Sequence, residues 1–243
     1  MLAVILAGLA VISTILGGVM AYKQRDRLHR LLGFTAGVII GVVAFDLLPE
    51  IFNYLQDHDA HMTAAMLALA GGFLLFHIIE KTILIHHAQE GHYESHHHPS
   101  VGLANGLALV GHSLLDGIGI GLAFQVSSGV GIAVAVAVIA HKFSDGLSTV
   151  SLMTVHRNKS SQVKFMLGLN AVAPLIGAVS TLAFTASPTA LVLYLGFFTG
   201  FLLYIGASEI LPEAHSRHSA YSTVLFTIAG TAVMFAISQL AEI

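Results

Sequence analysis

The sequence predicts an all-α polytopic membrane protein with eight transmembrane helices, and three observations lead there. Apolar residues make up 56% of the 243-residue chain and charged residues only 9%, a composition far from that of a soluble domain. The apolar residues gather into runs of about 20, long enough to span hydrocarbon at ~1.5 Å per residue. The basic residues fall on alternate connections, as a chain that crosses and recrosses a bilayer requires.

Span one is expected at about 2–22. A cleaved leader carries basic residues before its apolar run, whereas here Lys23, Arg25, Arg27 and Arg30 follow it, so the segment reads as a helix of the mature bundle. Span two is expected at 29–52, ending in D-L-L-P-E, and span three at 62–85. Spans four and five cover 101–125 and 129–155. Span six covers 163–184 with a kink at Pro174, span seven covers 189–212 after a turn at Pro188, and span eight covers 220–240. The 86–100 connection carries His86, His87, His92, His96, His97 and His98 with Glu90 and Glu94. It is too polar and short to fold alone. It reads either as a weak cation-gathering tract or simply as a solvated loop of biased composition.

Lys23, Arg25, Arg27, Arg30, Lys81, Arg157, Lys159, Lys164 and Arg217 lie on one side of such a bundle, and the connections 53–61, 126–128 and 185–188 contain no Lys or Arg. The positive-inside rule makes that basic side cytoplasmic and puts both termini outside, with the cell (inner) membrane as the expected location. The remaining basic residue, Lys142, lies inside span five. The stretch 33–50, G-F-T-A-G-V-I-I-G-V-V-A-F-D-L-L-P-E, matches 196–213, G-F-F-T-G-F-L-L-Y-I-G-A-S-E-I-L-P-E, with seven identities in eighteen and Asp46 opposite Glu209. These stretches lie five spans apart and run in opposite directions, the signature of an inverted repeat around a midplane site.

Two short motifs at the centre of apolar spans carry the chemistry: His112 to Gly117, H-S-L-L-D-G, and His141 to Gly146, H-K-F-S-D-G. Four residues separate each histidine from its aspartate, which on a helix means one face and about one turn of rise. A charged residue at mid-span costs roughly 2.5 to 3.5 kcal/mol on insertion scales, so it normally turns inward and finds a partner. Each pair taken singly can satisfy itself by an intrahelical hydrogen bond. Two pairs on adjacent antiparallel spans point instead to a shared cation. With no cysteine in the chain, such a site must use nitrogen and oxygen donors, a set that suits Zn²⁺ and also holds Fe²⁺, Mn²⁺, Co²⁺ or Cd²⁺. Gly117 and Gly146, directly after the aspartates, would let neighbouring helices approach closely.

These motifs resemble those of the ZIP (Zrt/Irt-like) divalent metal transporters, and the resemblance covers the whole chain. The family's fourth-helix H-N-x-P-E-G motif corresponds to His112, Ser113, Leu114, Leu115, Asp116 and Gly117. Its fifth-helix H-E-x-x-E-G motif corresponds to His141, Lys142, Phe143, Ser144, Asp145 and Gly146. The resemblance implies a transport site made of His112, Asp116, His141 and Asp145, uptake toward the cytoplasm by alternating access, and a metal that is substrate, not catalytic cofactor. It places Asp46 and Glu209 along the route. Binuclear members carry carboxylates where this chain has Lys142 and Ala173, so a single-metal site is expected, with Lys142 standing in electrostatically for a second ion.

On the outer side Asp57, His58, Asp59 and His61 offer groups that could gather cations, and His77, Glu80, His215 and His218 near the inner side offer groups that could receive them, but for each of these a solvated surface residue is the favoured reading. The rival reading is an intramembrane zinc-dependent hydrolase acting on lipid, with Ser113 or Ser144 assisting. No G-x-x-x-x-G-K-[ST] loop occurs, which argues against ATP hydrolysis. The expected partners are divalent metal ions and membrane lipid, not nucleic acid, with a homodimer left open.

Overall fold

In a computed structural model, residues 1–23, 29–57, 61–90, 99–215 and 221–241 are described. They form ten α-helical stretches: α1 (Leu2–Lys23), α2 (His29–Val42), α3 (Leu48–Asp57), α4 (Met62–Glu90), α5 (Pro99–Val126), α6 (Ser128–Val155), α7 (Ser160–Ser180), α8 (Pro188–Tyr204), α9 (Leu211–His215) and α10 (Tyr221–Ala241). Among the described residues eight helical spans are long and apolar enough to cross a membrane. α2 and α3 share one of these spans, Leu32–Gln56, and α8 lies within another, Pro188–Ser208.

The helix ends follow from local chemistry. One residue, Ser127, separates α5 from α6, and its hydroxyl accepts the Val130 amide at 3.2 Å as an N-cap. Ser187 caps α8 in the same way, with Pro188 at the first helical position, where its missing N–H is no loss. α7 continues through Pro174. The 86–90 part of the expected connection is helical, as the end of α4, and 91–98 lies outside the described residues.

The two L-P-E sequences prove not to be helix ends. Each proline is followed by more helix and preceded by a π turn, Val43–Leu47 and Ile205–Ile210. Leu48 N–H reaches back five residues to Val43 O, and Leu211 N–H reaches back five to Gly206 O. The wider turn makes room for a ring that would clash with the carbonyl four residues earlier, so the helix continues past the proline.

The packing follows the repeat. α1 lies on α6 as α7 lies on α5, and α2 lies on α10 as α8 lies on α4. Glycines make these contacts close. A Cβ added to Gly17 would overlap the Phe143 carbonyl, and one added to Gly146 would overlap that of Thr14; the same holds for Gly177 against Leu114 and Gly117 against Pro174. Thr14 and Gly17 correspond to Pro174 and Gly177, while Phe143 and Gly146 correspond to Leu114 and Gly117. The expected repeat is therefore visible as two equivalent glycine-to-carbonyl locks on either side of the α5–α6 pair.

Polarity is inverted relative to a soluble protein. Leu67, Ile78, Leu225 and Ile228 face outward, while Ser113, Asp116, His141, Lys142, Thr149 and Asn170 are buried. An apolar exterior around a polar centre is what a hydrocarbon solvent selects.

Candidate metal centre

The polar centre lies where α5 and α6 cross between α1 and α7. His112 and Asp116 project from one turn of α5, and His141 and Asp145 from one turn of α6; one donor atom from each of the four lies within 4.8 Å of all the others. His112 Nε2 is 3.2 Å from Asp116 Oδ2 and 3.4 Å from Asp145 Oδ2, and His141 Nε2 is 3.3 Å from Asp116 Oδ2. The simpler arrangement, two separate intrahelical pairs, is not what the chain adopts. Asp116 faces the histidines of both helices.

The ring orientations suit ligation. His141 Nδ1 donates to the Ala137 carbonyl at 3.0 Å, a bond that leaves Nε2 as the atom with a free lone pair. His112 is set by contacts between spans: its ring lies 4.7 Å from that of Phe201 on α8 and 6.1 Å from that of Phe76 on α4. His112 Nε2 is buried and makes no hydrogen bond, although two carboxylate oxygens lie close by. Donor atoms that two helices bring to one buried point fit a common cation, which would take the place of the His141 Nε2 contact with Asp116 Oδ2, and the set of two imidazoles and two carboxylates fits a borderline divalent ion.

Lys142 occupies the same centre. Its Nζ lies 2.5 Å from Asp116 Oδ2 and 2.6 Å from Asp145 Oδ2, and it donates to Ser113 Oγ at 2.7 Å. Ser113 in turn donates to Asn170 Oδ1 on α7. Asn170 Nδ2 donates to Thr149 Oγ1 at 2.8 Å, and Thr149 donates to the Asp145 carbonyl at 2.8 Å. This network ends on Asp145, whose carboxylate holds Lys142, and leaves none of its hydroxyl or amide members unsatisfied.

The sequence reading missed Asn170 and Thr149. A lone amide in an apolar span was the available signal for Asn170; nothing in the spacing marked Thr149. Asp46, His77 and His215, also named from sequence, are not among the residues of the cluster. Asp46 is half-buried in the first π turn. Exposed His77 packs edge-on to Tyr204, with ring centroids 5.7 Å apart, and His215 bonds the Leu211 carbonyl of its own helix at 2.9 Å. The backbone of Glu209 lies in the second π turn. The side chains of Asp57, Glu80 and Glu209, and the whole of His58, Asp59 and His218, lie outside the described residues.

A bundle of eight apolar spans with a buried nitrogen and oxygen donor set at its centre defines a multi-pass membrane protein built around a metal-binding core. No curated protein matches the chain. A family model described as ZIP Zinc transporter matches residues 89–238, from the end of α4 into α10. The chain belongs to that family of divalent metal transporters, as its two central motifs suggested.

Proposed function

We propose that this protein carries divalent metal cations across the membrane toward the cytoplasm by alternating access, through one site made by His112, Asp116, His141 and Asp145. One observation carries the proposal: four ligating groups from two spans converge within 4.8 Å at the buried centre of the bundle. Two imidazole and two carboxylate donors favour Zn²⁺, with Fe²⁺, Mn²⁺ and Cd²⁺ also compatible. The metal is substrate, and no catalytic cofactor is required.

The chain's own residues supply orientation and charge. Ala137 fixes the tautomer of His141, while Phe76 and Phe201 fix the tilt of His112. Lys142 sets the net charge around the carboxylates. The sequence repeat supports a path with two equivalent ends, Asp46 lying on one and Glu209 on the other, with His77, Glu80 and His215 toward the cytoplasmic exit. The distribution of basic residues supports termini on the outer face of the cell membrane.

The test is Zn²⁺ uptake into proteoliposomes holding the purified protein. Accumulation that is lost in His141→Ala supports the proposal. Lipid turnover with no accumulation would instead identify the hydrolase reading.

A further inference from the structure

Lys142 is the charged group in the centre that ligation does not use. It is wholly buried, and its ammonium holds the two carboxylate oxygens that also face His112 Nε2. It has a second berth as well. Ser113 Oγ lies 2.7 Å away on the α5 side, with Asn170 Oδ1 beyond it. A cation arriving at the carboxylates can therefore push the ammonium toward Ser113 and Asn170 without expelling it into hydrocarbon. α5 carries Ser113 where α6 carries Lys142, so the repeat places one ammonium at one of two equivalent positions.

A count of charge shows what this ammonium changes. Asp116 and Asp145 alone carry −2, and a bound divalent ion with neutral imidazole ligands brings the group to zero. With Lys142 the two states become −1 and +1. The penalty for a charge in a low-dielectric medium grows with its square, so a net −2 is far worse than either sign of unit charge. A carrier must also reorient its site with no metal aboard, and a doubly negative site would stall at that step unless another cation came along.

We infer that Lys142 is a tethered counter-cation that takes the place of a coupling ion, allowing the site to reset without a co-transported proton or Na⁺. The inference rests on the transport reading above and adds how the cycle closes.

Two fluxes of radiolabelled Zn²⁺ in proteoliposomes test it. Exchange, with Zn²⁺ on both sides, moves the loaded site in both directions; net uptake into Zn²⁺-free vesicles also needs the reset. In Lys142→Gln, net uptake should fall about tenfold or more relative to the variant's own exchange rate, and an imposed proton or Na⁺ gradient should restore part of it. Net uptake and exchange that both persist, or that fall by the same factor, would overturn the inference.

Should Lys142→Gln not fold, the wild-type protein decides. Its metal current should reverse at the potential set by the Zn²⁺ gradient alone, and a reversal potential that moves with an imposed proton or Na⁺ gradient overturns the inference. Absence of exchange in the wild-type protein would remove the transport reading itself, a different failure from the ones above.

Discussion

Replacing Gly146 by alanine should loosen the bundle next to the metal centre, and the size of the effect can be worked from the packing. The new Cβ would overlap the Thr14 carbonyl, a backbone atom of α1 that cannot swing aside as a flexible side chain would. α1 and α6 must then separate by a few tenths of an ångström or more. They are held together one turn away by the contact of Gly17 with Phe143, and further along by the Ser13 hydroxyl, which donates to the Ile139 carbonyl at 2.7 Å.

Overpacking of this kind costs about 1–3 kcal/mol, against a gain of roughly 0.5–1 kcal/mol from removing a helical glycine. Because the atom met is backbone, the upper part of that range, about 2–3 kcal/mol, applies, and the net loss is about 1–2.5 kcal/mol, or a fall of roughly 2–10 °C in Tm at the size scaling of a chain this long. Gly168→Ala is the control, because a Cβ there meets nothing within 4 Å; it should hold or raise the melting temperature. The chain has neither Trp nor Cys, so loss of helical circular dichroism on heating in detergent is the suitable readout. Asp145 precedes Gly146 directly, so Zn²⁺ affinity should fall together with stability. If Gly146→Ala melts with Gly168→Ala, the close approach of α1 and α6 is not what fixes this part of the site.

Three further outcomes follow from the same geometry. Gly117→Ala meets the Pro174 carbonyl as Gly146→Ala meets that of Thr14, so the two should lose comparable stability in the same melting assay. Asn170→Leu leaves Ser113 Oγ without its acceptor and Thr149 Oγ1 without its donor; each buried loss costs about 1–3 kcal/mol, and calorimetric Zn²⁺ affinity should drop as the Lys142 network rearranges. Lys142→Asp replaces the ammonium between two carboxylates by a third carboxylate; the metal bound per protein, measured by elemental analysis, should rise from one to two, and unchanged stoichiometry would count against Lys142 as the substitute for a second ion.

Acid should weaken Zn²⁺ binding in all of these proteins, because imidazole and carboxylate must give up protons to ligate; calorimetry in buffers of different ionisation enthalpy should register the released protons.

Much of this protein was legible in the sequence because the relevant signals are local. A bilayer demands long apolar runs, so the eight spans stand out by length alone. His112 and Asp116, like His141 and Asp145, share a face because four residues make about one helical turn, and their mid-span position marks them as inward-facing. Gly117 and Gly146 were readable as points of close approach, though not what they approach.

Tertiary structure alone decided which spans meet, because that depends on surfaces far apart in the chain: α1 with α6, α2 with α10, and Gly146 with Thr14. It showed that the two L-P-E sequences are not helix ends but helix that continues after a π turn, since a wider helical turn can accommodate a proline that sequence rules treat as a stop. It also brought Asn170 of α7 and Thr149 of α6 into the network behind Lys142. No periodicity within one helix tells a buried ammonium which neighbour will supply its acceptors; that is fixed when the helices pack and every polar group left inside must find a partner.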